Sequence, residues 1–259
     1  MQVSTTGRFQ LGLIFLTLLS HVIATPQIGI QLDPLPVDKN GKRLPYESVQ
    51  SYSAIIEFQD KAIPVDKTKM SDRQLLQLTK VAYDEMVALW KDKGLINDAC
   101  PGALGAFESD GRIYFASSVR ALPKIQWGLL DAEIKDSIGW FFQTCMDEDM
   151  GPHRLGGKCA EPNLLRLYGE YNTPPGGTEY TKPPTTNSSP RLAVWGRPSP
   201  KTPTDGAEQM FPPCKDGTEG WGCIRMVPAY GLKSIPDKKT PVVDGQDDWR
   251  FTVMDNPRC

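Results

Sequence analysis

The chain has 259 residues, with 29 Lys and Arg against 31 Asp and Glu and a formal net charge of −2. That balance supplies no basic field to gather nucleic acid over a distance, and no basic amphipathic helix suited to a membrane surface occurs. The only histidines are His21 and His153.

At the N-terminus, Arg8 precedes LGLIFLTLL, an apolar run too short to span a bilayer. SHVIA follows, with small residues at Val22 and Ala24. This pattern predicts a secretory signal over residues 1–24, cleaved after Ala24, and hence a soluble extracellular protein. His21 would leave with the signal, so the exported chain keeps His153 alone. A zinc site built on several histidines and a paired-histidine ribonuclease mechanism are both excluded. Ser-His-Asp catalysis would have to use His153, and no G-x-S-x-G elbow accompanies it.

Residues 25–70 read as an N-terminal arm, rich in Pro, Gly, Asp and Lys at first, with strand-like SYSAIIEF at 51–58. Ser71-Asp72 then caps RQLLQLTKVAYDEMVALWKDKG. Its apolar residues Leu75, Leu78, Val81, Ala82, Met86 and Leu89 recur at helical spacing, and Gly94 ends the run. PGALGAFES and RIYFASSV flank Asp110-Gly111, a hairpin signal. Residues 129–146 predict a second helix, and CAEPNLLRLYGEY a short third one. A Pro/Gly/Thr loop over 172–190 contains Asn187-Ser188-Ser189, an N-glycosylation acceptor. RLAVWGR (191–197) predicts a buried strand, and FPPCKDGTEGWGCIRM follows a Pro-rich link. Residues 71–230 thus read as the main domain. Residues 231–259 read as an irregular tail, with WRFTVM a candidate strand.

The candidate chemistry lies in HRLGGKCAEPNLLRL at 153–167. Zinc that activates water needs three protein ligands, an open position and a carboxylate to move protons. Cys159 opens a helix, whose N-terminus favours thiolate over thiol. Glu161 lies in the same first turn, and Pro162 is tolerated there because its missing N–H has no intrahelical partner. The second half is Pro213-Cys214, with Cys223 nine positions on.

CAEPNLL is similar to the C-A-E segment of the cytidine deaminase-like superfamily, and Pro213-Cys214…Cys223 resembles its P-C-x-x-C. Gly-Gly-Lys before Cys159 resembles secreted toxin-type relatives. The likeness covers residues 75–230, and the order of predicted elements agrees with it. The resemblance implies an α/β fold: a three-layer sandwich with a central mixed sheet and helices on both faces. It implies Cys159, Cys214 and Cys223 as zinc ligands and Glu161 as general acid and base, hydrolysing the exocyclic amine of a nucleobase. The substrate would be a nucleoside or single-stranded nucleic acid, and secretion suits a toxin or effector. No membrane partner is expected.

The family spacing places two residues between the last cysteines, whereas KDGTEGWG places eight here. The insert can loop out and return both sulfurs to one metal, or it can mark a disulfide hairpin. Six cysteines in an exported chain also allow three disulfides, stapling a non-catalytic binding module. In the zinc reading Cys100, Cys145 and Cys259 remain as disulfide candidates. His153 reads as a loop residue that could contact substrate in the same mouth. Trp221, in the Gly-rich insert, is the exposed aromatic expected to stack on a base.

Overall fold

The computed structural model describes residues 27–34, 49–58, 70–93, 100–109, 111–121, 132–148, 150–174, 177, 179–184, 190–197, 208–218, 220–235 and 251–255. The predicted signal, Asn187 and Cys259 lie outside them.

Among these residues the chain runs β1 (Gln31–Leu32), β2 (Val49–Gln50), β3 (Tyr52–Phe58), α1 (Asp72–Asp92), β4 (Ala103–Ser109), β5 (Arg112–Ser117), β6 (Arg120–Ala121), α2 (Ile138–Asp147), α3 (Ala160–Asn172), β7 (Arg191–Gly196), β8 (Gln209–Met210), α4 (Cys223–Ala229), β9 (Lys233–Ser234) and β10 (Phe251–Val253). The fold class is mixed α/β. An eight-stranded sheet has the order β1-β3-β5-β4-β7-β8, with β10 also on β3 and β9 also on β7. Its pairings are antiparallel except β9, which runs parallel to β7. β2 and β6 form a separate two-stranded pair.

Strand alternation sends successive side chains to opposite faces, and each face carries its own core. Leu104, Ala106, Ile113, Phe115 and Ala193 pack with Leu75, Leu78, Ala82 and Met86 of α1. Phe107, Tyr114, Ala116, Leu192 and Val194 pack on the other face with Leu164, Leu165 and Tyr168 of α3 and with Met226 of α4. Helices therefore cover both faces.

α1 begins as predicted, because its start is written locally. Ser71 accepts from the Gln74 amide, and the Gln74 side chain accepts from the Ser71 amide, forming a capping box. α3 lies close on the sheet because Gly105 has no side chain. A Cβ there would stand 2.6 Å from Leu164 Cδ1 and 3.3 Å from Ala160 Cβ.

Three sequence expectations change. The predicted helix over 129–146 begins only at Ile138, where Ser137 caps it by accepting from the Trp140 amide. Asp136 before it has a left-handed φ of 65°, which breaks any helix running through from 129. The 25–70 arm is not wholly accessory, because β1 and β3 are strands of the main sheet. Nor does the main domain end at 230: β9 extends the sheet beside β7, and β10 pairs with β3. Glu85 of α1 ties the N-terminal segment down, its carboxylate accepting from the amides of Ile28, Gly29 and Ile30 at 2.7, 2.9 and 2.8 Å.

Candidate metal centre

Cys159 is the N-cap of α3, with extended φ/ψ of −66° and 162°. Asn163, fully buried one turn on, donates its side-chain amide to the Ser117 carbonyl at 2.9 Å and to the Cys159 carbonyl at 3.3 Å. The start of α3 is thereby held against the end of β5. The Val119 amide donates to the Lys158 carbonyl at 2.8 Å and fixes the preceding residue.

Cys214 and Cys223 come together because the eight intervening residues close on themselves. Gly217 and Gly220 exchange backbone hydrogen bonds, and Asp216 accepts from the Gly222 amide at 2.9 Å and from Arg225 Nε at 2.8 Å. The Cys223 amide donates to Cys214 Sγ at 3.1 Å, and the Ile224 amide to the Cys214 carbonyl at 3.1 Å. The widened spacing is thus a looped-out insert. The cysteines at 159, 214 and 223 are all thiols, as are Cys100 and Cys145.

Cys159 Sγ lies 3.7 Å from Cys214 Sγ, far beyond the S–S bond length of about 2.05 Å. Sulfurs on a tetrahedral zinc with Zn–S of about 2.3 Å stand about 3.8 Å apart. His153 Nε2 adds a fourth polar atom, 3.4 Å from Cys223 Sγ and 3.8 Å from Cys214 Sγ. One ligand-type atom from each of these four residues falls within 4.8 Å of the others. Soft sulfur donors at these separations suit zinc.

The three sulfurs shift one another's proton affinities through their hydrogen bonds. The hydrogen bond from Cys159, then that from Cys223, holds Cys214 far below the usual thiol range. The same contact with Cys214 pushes Cys159 up, and burial pushes Cys223 up.

Glu161 is 4 % exposed, and burial lifts its carboxyl from 4.5 to about 7. Its own backbone amide and the Cys223 thiol oppose that rise, while negative charge on Cys214 adds to it. Cys159, Glu161 and Cys214 line a cavity of about 350 Å³, with Val194, Phe211 and Pro212 among its apolar walls. Arg120, Lys158 and Arg197 add basic character to the lining.

Two sequence expectations about aromatic and imidazole groups are corrected. His153 is not a surface loop residue: it is 4 % exposed, its backbone bridges Trp221, and its Nε2 turns to the sulfurs. Trp221 is not an exposed stacking platform. It is 2 % exposed, packs edge-on to the His153 ring at 4.6 Å, and donates its indole N–H to the Gly151 carbonyl. The half-buried aromatic beside the site is Phe211, which sequence reasoning passed over. Its signal was its place directly before Pro212-Pro213-Cys214.

Cys100 and Cys145 do not pair with one another. They sit in separate cores on opposite faces of the sheet, and burial raises each thiol to about 11. Among the described residues, no helix is long and apolar enough to cross a membrane. No protein-family model, curated protein or solved structure matches the chain.

Proposed function

We propose that the chain is a secreted zinc-dependent deaminase that hydrolyses the exocyclic amine of a nucleobase, carried in a nucleoside or in single-stranded nucleic acid. The observation that carries this reading is the convergence of Cys159, Cys214 and Cys223, two of which, Cys159 and Cys214, line one cavity together with Glu161. Supporting it, the sequence of α1, the β4–β5 hairpin, α3 with Cys159, β7 and the Cys214–α4 segment follows the element order of the cytidine deaminase-like superfamily. A three-layer deaminase sandwich accommodates the helices on both faces of the sheet. An exported toxin or effector is the biological role that suits such an activity.

Zinc held by the three sulfurs would supply Lewis acidity at the cavity wall. The chain's own residues divide the remaining work. Glu161, the one carboxylate among the described lining residues, takes a proton from the attacking water and returns it to the departing amine. The ring carbon exchanges its C–N bond for a C–O bond, and ammonia leaves. The apolar walls exclude bulk water from the base, and Phe211 is placed to stack on it.

The test is ammonia release from cytidine, adenosine, guanosine and single-stranded DNA or RNA, comparing wild type with Glu161→Gln. The variant is expected to keep zinc and fold, and to lose about a hundredfold to ten-thousandfold in rate. Equal rates in both proteins would place catalysis elsewhere. A zinc-free, inactive wild type would favour a non-catalytic binding module.

A further inference from the structure

The four converging residues pose a chemical question. A Cys3His set with all four as ligands is closed, as structural zinc sites are, whereas hydrolysis requires an open position. The distances from His153 Nε2 to the sulfurs suit either a ligand or a hydrogen-bond donor. The other ring nitrogen separates the two.

His153 Nδ1 accepts hydrogen bonds from the Leu155 amide at 3.1 Å and the Gly157 amide at 3.2 Å. A tight turn aims both amides at it. The Gly156 amide donates to the His153 carbonyl, and Gly156 and Gly157 take left-handed φ values of 59° and 74°. A ring nitrogen that accepts from two amides presents its lone pair and carries no proton. The neutral imidazole then bears its proton on Nε2. A histidine that binds metal through Nε2 shows the reverse, with its second nitrogen donating to a carboxylate, carbonyl or water. The edge of Trp221 and the tilted ring of Phe142, 4.6 and 5.0 Å away, hold the imidazole in this orientation.

We propose that His153 is a positioning residue which donates Nε2–H to the Cys214 and Cys223 sulfurs, leaving zinc with three sulfur ligands and one position open to the cavity. Three thiolates on a dication leave one net negative charge. A buried N–H donor shared between two of them withdraws part of it and strengthens the metal as a Lewis acid. This inference rests on the zinc reading above.

The test is a long-range 15N–1H correlation spectrum of the zinc-loaded chain, with His21 assigned through H21Q. The expected pattern has His153 protonated at Nε2 and unprotonated at Nδ1 while one zinc is bound. H153Q, whose amide can still donate, should retain one zinc with an affinity lowered about tenfold to a hundredfold, as loss of an outer-shell partner does. A spectrum with Nδ1 protonated and Nε2 on the metal would overturn the proposal and leave a closed site, with zinc binding intact. H153Q without zinc, beside a loaded wild type, would overturn it too. A wild type that takes up no added zinc would defeat both this proposal and the zinc reading beneath it.

Discussion

Gly105→Ala probes how the packing of α3 on the sheet sets the site. The new Cβ would meet Leu164 Cδ1 at 2.6 Å and Ala160 Cβ at 3.3 Å. Carbon atoms at rest stand about 3.5–4.0 Å apart, so the overlap with Leu164 is about 1 Å. Leu164 is fully buried and cannot swing into solvent. Overpacking of this kind costs about 1–3 kcal/mol. Against it, removing a glycine restrains the unfolded chain and returns about 0.4–1 kcal/mol. The net expectation is a loss of about 1–2 kcal/mol in urea unfolding. Relief should come from Leu164→Val, which shortens the clashing side chain, so the double variant should be more stable than the sum of the two single losses. In zinc-loaded protein, α3 displaced by the overlap would carry Cys159 and Glu161 with it. A misplacement of about 1 Å is worth about a hundredfold in rate, and the double variant should recover part of that loss. A neutral or stabilised Gly105→Ala, or strict additivity in the double variant, would refute the reasoning.

Cys159→Ser should release the metal and lower the melting temperature, because metal-binding energy is folding energy; one zinc per chain retained would exclude Cys159 as a ligand. Alkylation of denatured, unreduced protein should label at least the five cysteines that are thiols here, and a count of zero would restore the stapled module. Stability should fall as pH rises from about 9 to about 11: folded Cys100 and Cys145 hold protons that the unfolded chain releases near 9, so the unfolded state binds fewer protons in that window. A flat urea-midpoint profile across this window would contradict their burial. Glu85→Gln should weaken the three charge-assisted hydrogen bonds to residues 28–30, reducing stability by about 1.5–3 kcal/mol and speeding amide exchange of Ile28 and Ile30. Unchanged exchange would show that β-sheet pairing alone secures the segment.

Much of the framework was legible in the residues because its causes are local. The start of α1 follows from its apolar spacing and the Ser71-Asp72 cap, and the β4–β5 hairpin from the Asp110-Gly111 turn signal, with Gly111 at a φ of 76°. The Cys159, Glu161, Cys214 and Cys223 pattern was legible as well, since each half of it sits within a few residues. Tertiary structure decided what distant segments do to one another. His153 reads as a loop residue until its backbone bridges Trp221 and the imidazole turns toward two sulfurs 61 and 70 positions away. Trp221 reads as exposed because glycines surround it, yet the looped insert folds it against Phe141, Phe142 and His153. WRFTVM was legible as a strand, and β10 (Phe251–Val253) lies within it, whereas β1 and β9 are two residues long, too short for any periodicity to mark them, and exist only because β3 and β7 offer them edges. Gly105 looks like an interruption in a strand and is the contact that lets α3 reach the sheet. Local pattern reports the preferences of one segment, whereas the candidate metal centre depends on the burial and register of several.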